Sequence, residues 1–218
     1  MTQFNPSECV ILLHGLARSD GSMKKLAQAL DDAGYLTVNV SYPSTKQHIE
    51  ALAPDAITKA LAQCPEDSTI NFVTHSMGGI LVRQYLKKNI IKNLGRVVML
   101  GPPNKGSHVV DNLSKIPGFK LINGPAGMQL GTTEVSIPNT LGSANFELGI
   151  IAGNRSVNPI LSLMLPVPND GKVSVEHTKL EGMNDHIELP VTHSFMMNNK
   201  SVIAQIIYFL VHGSFNKG

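Results

Sequence analysis

The chain has 218 residues with a formal net charge of +2, and 42% of them are hydrophobic and 16% charged. This is the composition of a globular protein, and since Lys and Arg form no long run, we expect no nucleic-acid partner. The N-terminus lacks the pattern of a signal peptide, and the apolar run Val202 to Val211 is too short to span a bilayer. We therefore expect one cytoplasmic domain over residues 1–218, without stable membrane insertion, and leave its oligomeric state open.

Short apolar runs alternate with helix-like stretches along the chain. The runs predict strands over Cys9–Leu13, Tyr35–Val40, Thr69–Thr74, Arg96–Leu100, Glu147–Ala152 and about Ile187–Val191. The periodic stretches predict helices over Ser22–Ala33, Met77–Asn89 and Ser201–Val211. A further helix is predicted to end near Cys64, and Pro54 either starts its main body or kinks it. This alternation favours an α/β fold, a doubly wound and mostly parallel sheet of about six strands with helices on both faces.

Two features stand apart from this alternation. The two cysteines, Cys9 and Cys64, have neither a CxxC nor a metal-ligand spacing, and we expect both to be reduced thiols. Residues 104–145 are rich in Gly, Pro, Ser and Asn, and we interpret them as a small cap or substrate-facing excursion. The alternative is a plain surface connection with a short helix at Ser107–Leu113.

The most informative stretch is His75-Ser76-Met77-Gly78-Gly79, which lies between a predicted strand and a predicted helix. This context is typical of a nucleophile elbow, in which a sharp turn projects the serine hydroxyl above the sheet. Ser76 is therefore the candidate nucleophile, and the Met77 backbone N–H, at the helix N-terminus, is a candidate oxyanion-hole donor. Thr74 stands where the G-x-S-x-G pattern has Gly, so local packing must accommodate it. The alternative for Ser76 is an ordinary N-cap serine.

The turn at Ser76, the run His14-Gly15-Leu16 and the run Gly101–Ser107 together resemble α/β-hydrolases, in particular small bacterial lipases and esterases with a reduced sheet. The resemblance covers nearly the whole chain, from Val10 to the last helix. It implies that the Leu16 backbone N–H is the second oxyanion-hole donor. It also implies the chain order serine, acid, histidine.

Several side chains compete for the other two roles. Of the eight histidines, His193 is favoured as the general base because it follows a predicted strand and precedes the final helix, and His186 is the alternative. Acid candidates lie between Ser76 and His193: Asp111, Glu134, Glu147, Asp170, Glu176, Glu181, Asp185 and Glu188. Asp170 is favoured because it precedes Gly171 and lies shortly before the last strand, as the acid does in that family. Asp185 is its rival, and a simple Asx-turn is the structural alternative for Asp170.

These assignments predict a serine hydrolase of the carboxylesterase or lipase type, with a small-molecule acyl ester as its substrate. An acyltransferase or thioesterase with the same residues, or a catalytically silent binding module, are the alternatives. No phosphate loop, metal-ligand cluster or dinucleotide motif is recognisable, so neither a cofactor nor a metal is expected. A hydrophobic acyl site is predicted from a set of apolar residues: Met128, Leu130, Ile137, Leu141, Leu163, Met164 and Leu165.

Overall fold

The computed structural model describes residues 8–157 and 159–218, and within them six strands form one parallel sheet. The strands are β1 (Glu8–Leu13), β2 (Leu36–Val40), β3 (Thr69–His75), β4 (Leu94–Leu100), β5 (Leu148–Gly153) and β6 (Asp185–Leu189). They are ordered β2-β1-β3-β4-β5-β6, and every neighbouring pair is parallel. The predicted strand number and the predicted parallel pairing are confirmed. All six carboxyl ends therefore meet at one edge of the sheet.

Helices of very different length connect the strands. They are α1 (Lys24–Asp32), α2 (Ile49–Leu61), α3 (Met77–Leu86), α4 (His108–Leu113), α5 (Phe119–Met128), α6 (Ile137–Thr140), α7 (Pro159–Leu163), α8 (Val175–Thr178) and α9 (Lys200–His212). Short 3-10 turns cover Asp20–Met23 and Met196–Asn198. Pro54 lies inside α2, so it does not start that helix. No helix in the described part of the chain is long and apolar enough to cross a membrane.

The sheet is covered by helices on both faces, as the composition of its strands requires. Because side chains alternate along a strand, Leu12 packs against the face covered by α1 and α9, whereas Ile11 and Leu13 pack against α2 and α3. The first face is filled by residues such as Leu26, Leu30, Val202, Ile206 and Phe209. The second is filled by residues such as Ile49, Leu52, Phe72, Ile80 and Leu81.

The expectation of two reduced thiols is wrong, because Cys9 and Cys64 form a disulfide. Cys9 lies in β1 and faces the core beneath α2, and Cys64 follows the end of that helix. The partners are separated by 55 residues, so their proximity depends on how α2 packs on the sheet. Disulfides are more typical of oxidising compartments than of the cytosol. The cytoplasmic location stays a prediction that this pairing does not favour.

The remaining differences from the sequence predictions are at segment boundaries. The helix predicted to reach Asn89 ends at Leu86, and the last strand begins at Asp185, two residues before the predicted start. Residues 104–145 contain α4, α5 and α6, with a kink at Gly124 inside α5. Of the N-terminal segment judged not to be a signal peptide, Met1 to Cys9, residues 1–7 lie outside the described residues, and Glu8 and Cys9 begin β1.

Candidate active site

Ser76 occupies the sharp turn between β3 and α3. Its backbone has φ 53° and ψ −120°, a left-handed value that costs a residue with a side chain about 1–3 kcal/mol. The Ser76 N–H donates to the carbonyl of Leu100, at the end of β4, over 2.8 Å. The strand, the turn and the helix are therefore arranged as the sequence predicted, with the Ser76 side chain at the carboxyl edge of the sheet.

Small residues make this turn possible. A Cβ atom on Gly78 would lie 2.6 Å from the carbonyl oxygen of Leu13, so α3 can pack this closely on β1 only with glycine there. A Cβ on Gly79 would meet the Thr74 Oγ1 at 3.2 Å and the Met99 Sδ at 2.9 Å. The glycine at position 79 thus leaves room for the bulkier Thr74, which is the packing that its departure from the G-x-S-x-G pattern requires.

Ser76, His193 and Asp170 form a continuous hydrogen-bonded series. The Asp170 Oδ2 lies 2.7 Å from the His193 Nδ1, and the His193 Nε2 lies 3.0 Å from the Ser76 Oγ. Because a carboxylate only accepts hydrogen bonds, the imidazole Nδ1 carries the proton, which leaves Nε2 free to accept from the serine hydroxyl. This arrangement is suited to nucleophilic catalysis by a serine.

The Asp170 carboxylate is fixed in place by its own backbone neighbours. Its Oδ1 accepts from the N–H of Lys172 at 2.9 Å and from the N–H of Val173 at 2.8 Å. Its carbonyl accepts from the His193 N–H at 3.1 Å, so the two residues are linked through side chains and backbone alike. The Asx-turn considered from the sequence is present, and it coexists with the contact to His193.

His75 makes a contact that the sequence did not reveal. Its Nε2–H donates to the carbonyl oxygen of His193 over 2.9 Å, and its ring lies 4.8 Å from that of His193. Burial lowers the pKa of His75 well below its usual value, and the neighbouring His193 acts in the same direction. His75 is therefore neutral near pH 7, and its ring anchors the backbone that carries His193.

The rival acid and base lie elsewhere. Asp185 is the first residue of β6, at the amino end of the sheet, where its carboxylate accepts from the N–H of Phe215 at 2.9 Å. The His186 Nε2 lies 3.0 Å from the Thr178 hydroxyl. Neither belongs to the series around Ser76. Among the residues described, no group of three or more His, Cys, Asp or Glu side chains is placed to hold a metal ion.

The two predicted backbone donors belong to different segments of the chain, Leu16 to the loop after β1 and Met77 to the start of α3. Met77 is the first residue of α3, so its N–H has no acceptor within the helix. Leu16 belongs to the loop after β1, where Ala17 adopts φ 53° and donates its N–H to the Ser44 Oγ at 3.1 Å. The Tyr42 ring stacks on His14 at 4.0 Å, and its hydroxyl donates to the His14 carbonyl, which holds this loop against the sheet.

A cavity of about 290 Å³ opens beside Ser76 and His193. Its apolar lining comes mostly from residues 104–145: Val109, Val110, Leu113, Phe119, Ile122 and Leu130, with Leu16, Leu161 and Val173 from elsewhere. Of the predicted acyl-site residues only Leu130 lines it. The prediction is wrong for Met128, Ile137, Leu141, Leu163, Met164 and Leu165: Ile137 and Leu141 pack on the core, and Leu163 is exposed.

Similar solved structures identify the fold. The chain superposes on the mature lipase BlEst2 of Bacillus licheniformis with a TM-score of 0.72 and 17% identity, over 94% of this chain and 93% of that one. It superposes on the esterase Pf2001 of Pyrococcus furiosus with a TM-score of 0.65 and 18% identity, over 96% and 83%. The chain has the α/β-hydrolase fold.

A third similar structure is the phospholipase PlaB of Legionella pneumophila, with a TM-score of 0.73 and 17% identity over 95% of this chain. The chain spans about 60% of the length of PlaB. No family model matches the sequence, and no curated protein matches it significantly. These structural neighbours are lipases, esterases and a phospholipase that share only 17–18% sequence identity with this chain.

Within this α/β-hydrolase fold, one further residue near the site escaped the sequence reasoning. Arg83, on the helix after Ser76, is buried and donates to the Asn104 carbonyl and side chain at 3.1 Å and to the carbonyls of Pro138 and Gly142 at 3.0 and 2.8 Å. Burial lowers its pKa to about 10, so it stays charged at neutral pH. A basic residue on an apolar helix face was the only available signal, and it does not identify these partners.

Proposed function

We propose that the protein is a serine carboxylic ester hydrolase that acts through an acyl-enzyme intermediate on esters with apolar acyl chains. The observation that carries this proposal is the hydrogen-bonded series from the Ser76 Oγ through His193 to Asp170 at the mouth of an apolar cavity. The lipolytic structural neighbours support the same reaction class. Fold alone does not decide function, so the proposal rests on the site.

In the proposed acylation step, the Ser76 Oγ attacks the ester carbonyl carbon while the His193 Nε2 accepts the hydroxyl proton. Asp170 keeps the imidazole in the required tautomer and stabilises the imidazolium that forms. The C–O bond then breaks, and His193 donates the proton to the leaving alcohol. Water attacks the acyl-enzyme with the same imidazole as base, which releases the carboxylic acid and restores Ser76.

The negative charge on the carbonyl oxygen needs donors during both attacks. The backbone N–H groups of Leu16 and Met77 are proposed to supply them, and the N-terminal end of α3 adds a favourable dipole. Backbone donors on a fixed loop and a helix start need no reorganisation as the charge develops. The stacked pair of Tyr42 and His14 supports this role, because it immobilises the loop that carries Leu16.

The test compares wild-type protein with Ser76→Ala on p-nitrophenyl esters from acetate to long-chain acids. Wild-type protein is expected to hydrolyse them with release of free acid. Ser76→Ala is expected to lose on the order of 10⁴–10⁶ in kcat while staying folded. Ser201→Ala, at an exposed serine in α9, is the matched control and keeps full turnover. Wild-type kcat in purified Ser76→Ala would contradict the proposal.

A further inference from the structure

Two cations line the mostly apolar cavity beside Ser76. Arg18 and Lys172 both line it together with Ser76 and His193, and both side chains are exposed. Among the described residues that line this cavity, none is Asp or Glu. A purely apolar ester needs no positive charge here, so the two cations call for a separate explanation.

No ion pair neutralises either cation within the described residues. Five lysine and arginine side chains pair with carboxylates at 2.9 Å or less: Lys59, Arg96, Lys105, Lys179 and Lys217. Within the part of the chain that the structure describes, Arg18 and Lys172 form no such pair. The nearby Asp170 carboxylate is buried and is engaged by His193 and two backbone N–H groups. Their positive charge is therefore available to a ligand.

The two charges act on one another and on the neighbourhood of Ser76. Although the Lys172 side chain is exposed overall, surrounding atoms shield its ammonium group, and this lowers its pKa. The charge of Arg18 lowers it further, and Asp170 acts in the opposite direction. Both cations also lower the pKa of His75, after the larger effects of burial and of His193. An anion bound between them would relieve this repulsion.

The position of the two cations in the chain indicates which part of the ester they contact. Arg18 follows Leu16 by two residues, and Lys172 follows Asp170 by two residues, so both lie on the loops that hold the site. Most of the apolar wall is supplied by a different segment, residues 104–145, and is suited to an uncharged acyl chain. The charged part of the ligand then belongs to the other side of the scissile ester.

We propose that Arg18 and Lys172 bind an anionic group, a phosphate or a carboxylate, carried on the alcohol part of the ester substrate. This inference rests on the proposed esterase function and narrows its substrate class. The reaction is unchanged: the acyl group moves to Ser76, and the anionic alcohol leaves with the proton from His193. Arg is suited to bidentate contact with such a group, and Lys contributes a point charge.

The experiment compares kcat/KM for two soluble esters with the same acyl chain, 1-butyrylglycerol 3-phosphate and 1-butyrylglycerol, by release of butyrate. O-butyryl glycolate and its amide form a second pair, which distinguishes carboxylate from phosphate. Wild-type protein is expected to prefer an anionic ester by about tenfold at low salt, and Arg18→Gln and Lys172→Gln are each expected to reduce that preference roughly two- to fivefold. The preference shrinks in ~1 M salt, where the Debye length is about 3 Å.

Lys120→Gln is the matched control, because Lys120 is an exposed lysine on α5 that does not line the cavity. Lys120→Gln is expected to leave kcat/KM unchanged for the charged and the neutral esters. A preference for either anionic ester that disappears in the double variant Arg18→Gln/Lys172→Gln supports the inference. Equal turnover of charged and neutral esters, or a preference that survives in the double variant, overturns it while the esterase proposal stands. Turnover of neither class would contradict the esterase proposal itself.

Discussion

The turn at Ser76 and the excursion over residues 104–145 meet at one cavity, but they are held in different ways. The turn is fixed by backbone contacts to adjacent strands: the Ser76 N–H donates to Leu100, and Gly78 packs on Leu13. The excursion adds no strand to the described sheet and is held by side chains together with a few backbone hydrogen bonds, such as the one from the Lys105 N–H to the His177 carbonyl at 3.0 Å. Arg83 donates to backbone at both of its ends, and the Gln129 Oε1 accepts from the Ile49 N–H at 2.8 Å.

This difference separates two functions of the site. A turn built into the sheet can position a reacting hydroxyl with little freedom, which nucleophilic catalysis requires. A segment anchored by a few long-range hydrogen bonds can supply apolar surface and change without disturbing the sheet. We therefore expect substitutions around the turn to affect the chemical step, and substitutions in the excursion to affect the choice of substrate.

The largest effect is expected from the residues that act with Ser76. Asp170→Asn and His193→Ala should each lower kcat by about 10⁴-fold, because either change removes the base or its correct tautomer. Asp185→Asn and His186→Ala are the matched controls, since both residues belong to β6 and contact neither Ser76 nor His193. Steady-state hydrolysis of p-nitrophenyl butyrate measures all four. If the control variants were the inactive ones, the acid and base would be misassigned.

A smaller effect, confined to substrate choice, is expected from the cavity wall. Leu113→Ser combined with Ile122→Ser should lower the kcat/KM ratio of octanoate to acetate esters by about tenfold, because one buried methylene is worth roughly 1 kcal/mol. Leu113 is half-buried and Ile122 is 67% exposed, so both changes are compatible with folding. Met128→Ser, outside the lining, is the control. An unchanged ratio in the folded double variant would show that the excursion does not line the acyl site.

Substitution of Arg83, which holds the excursion to α3, is expected to change turnover only a few-fold and to lower stability more strongly. Arg83→Met leaves its carbonyl acceptors at Asn104, Pro138 and Gly142 without donors and should lower the free energy of unfolding by about 2–4 kcal/mol. Arg83→Lys keeps the charge but reaches fewer acceptors, so an intermediate value is expected. Urea unfolding monitored by circular dichroism measures both. A wild-type midpoint in Arg83→Met would show that the excursion is held by other contacts.

The smallest effect on turnover is expected from the disulfide, which lies away from the carboxyl edge of the sheet. Cys64→Ser should lower the free energy of unfolding by about 2–4 kcal/mol, because the bond closes a long loop in the unfolded chain. Ester hydrolysis by the folded variant should match wild type. Thiol titration of denatured, unreduced wild-type protein should find no free thiol. Two free thiols per chain would show that Cys9 and Cys64 are reduced, as the sequence analysis expected.

The sequence predicted the features that local patterns encode. The six strands were identified from apolar runs, and the turn from the five residues His75 to Gly79. His193 and Asp170 were selected from chain order and flanking residues, and the structure brings both to Ser76. Contacts between distant segments left no such pattern. The Cys9–Cys64 bond, the partners of Arg83 and the residues lining the cavity all depend on how helices pack, which periodicity does not specify.

The central claim is that Ser76 is an activated nucleophile, and reaction with a fluorophosphonate tests it most directly. Intact-mass and peptide analysis of the treated protein should find a single phosphonyl group on the peptide that contains Ser76. Ser76→Ala should stay unlabelled, and His193→Ala should react far more slowly because its serine lacks the base. A wild-type protein that hydrolyses esters yet stays unlabelled at Ser76, or carries the same label in Ser76→Ala, would contradict the account.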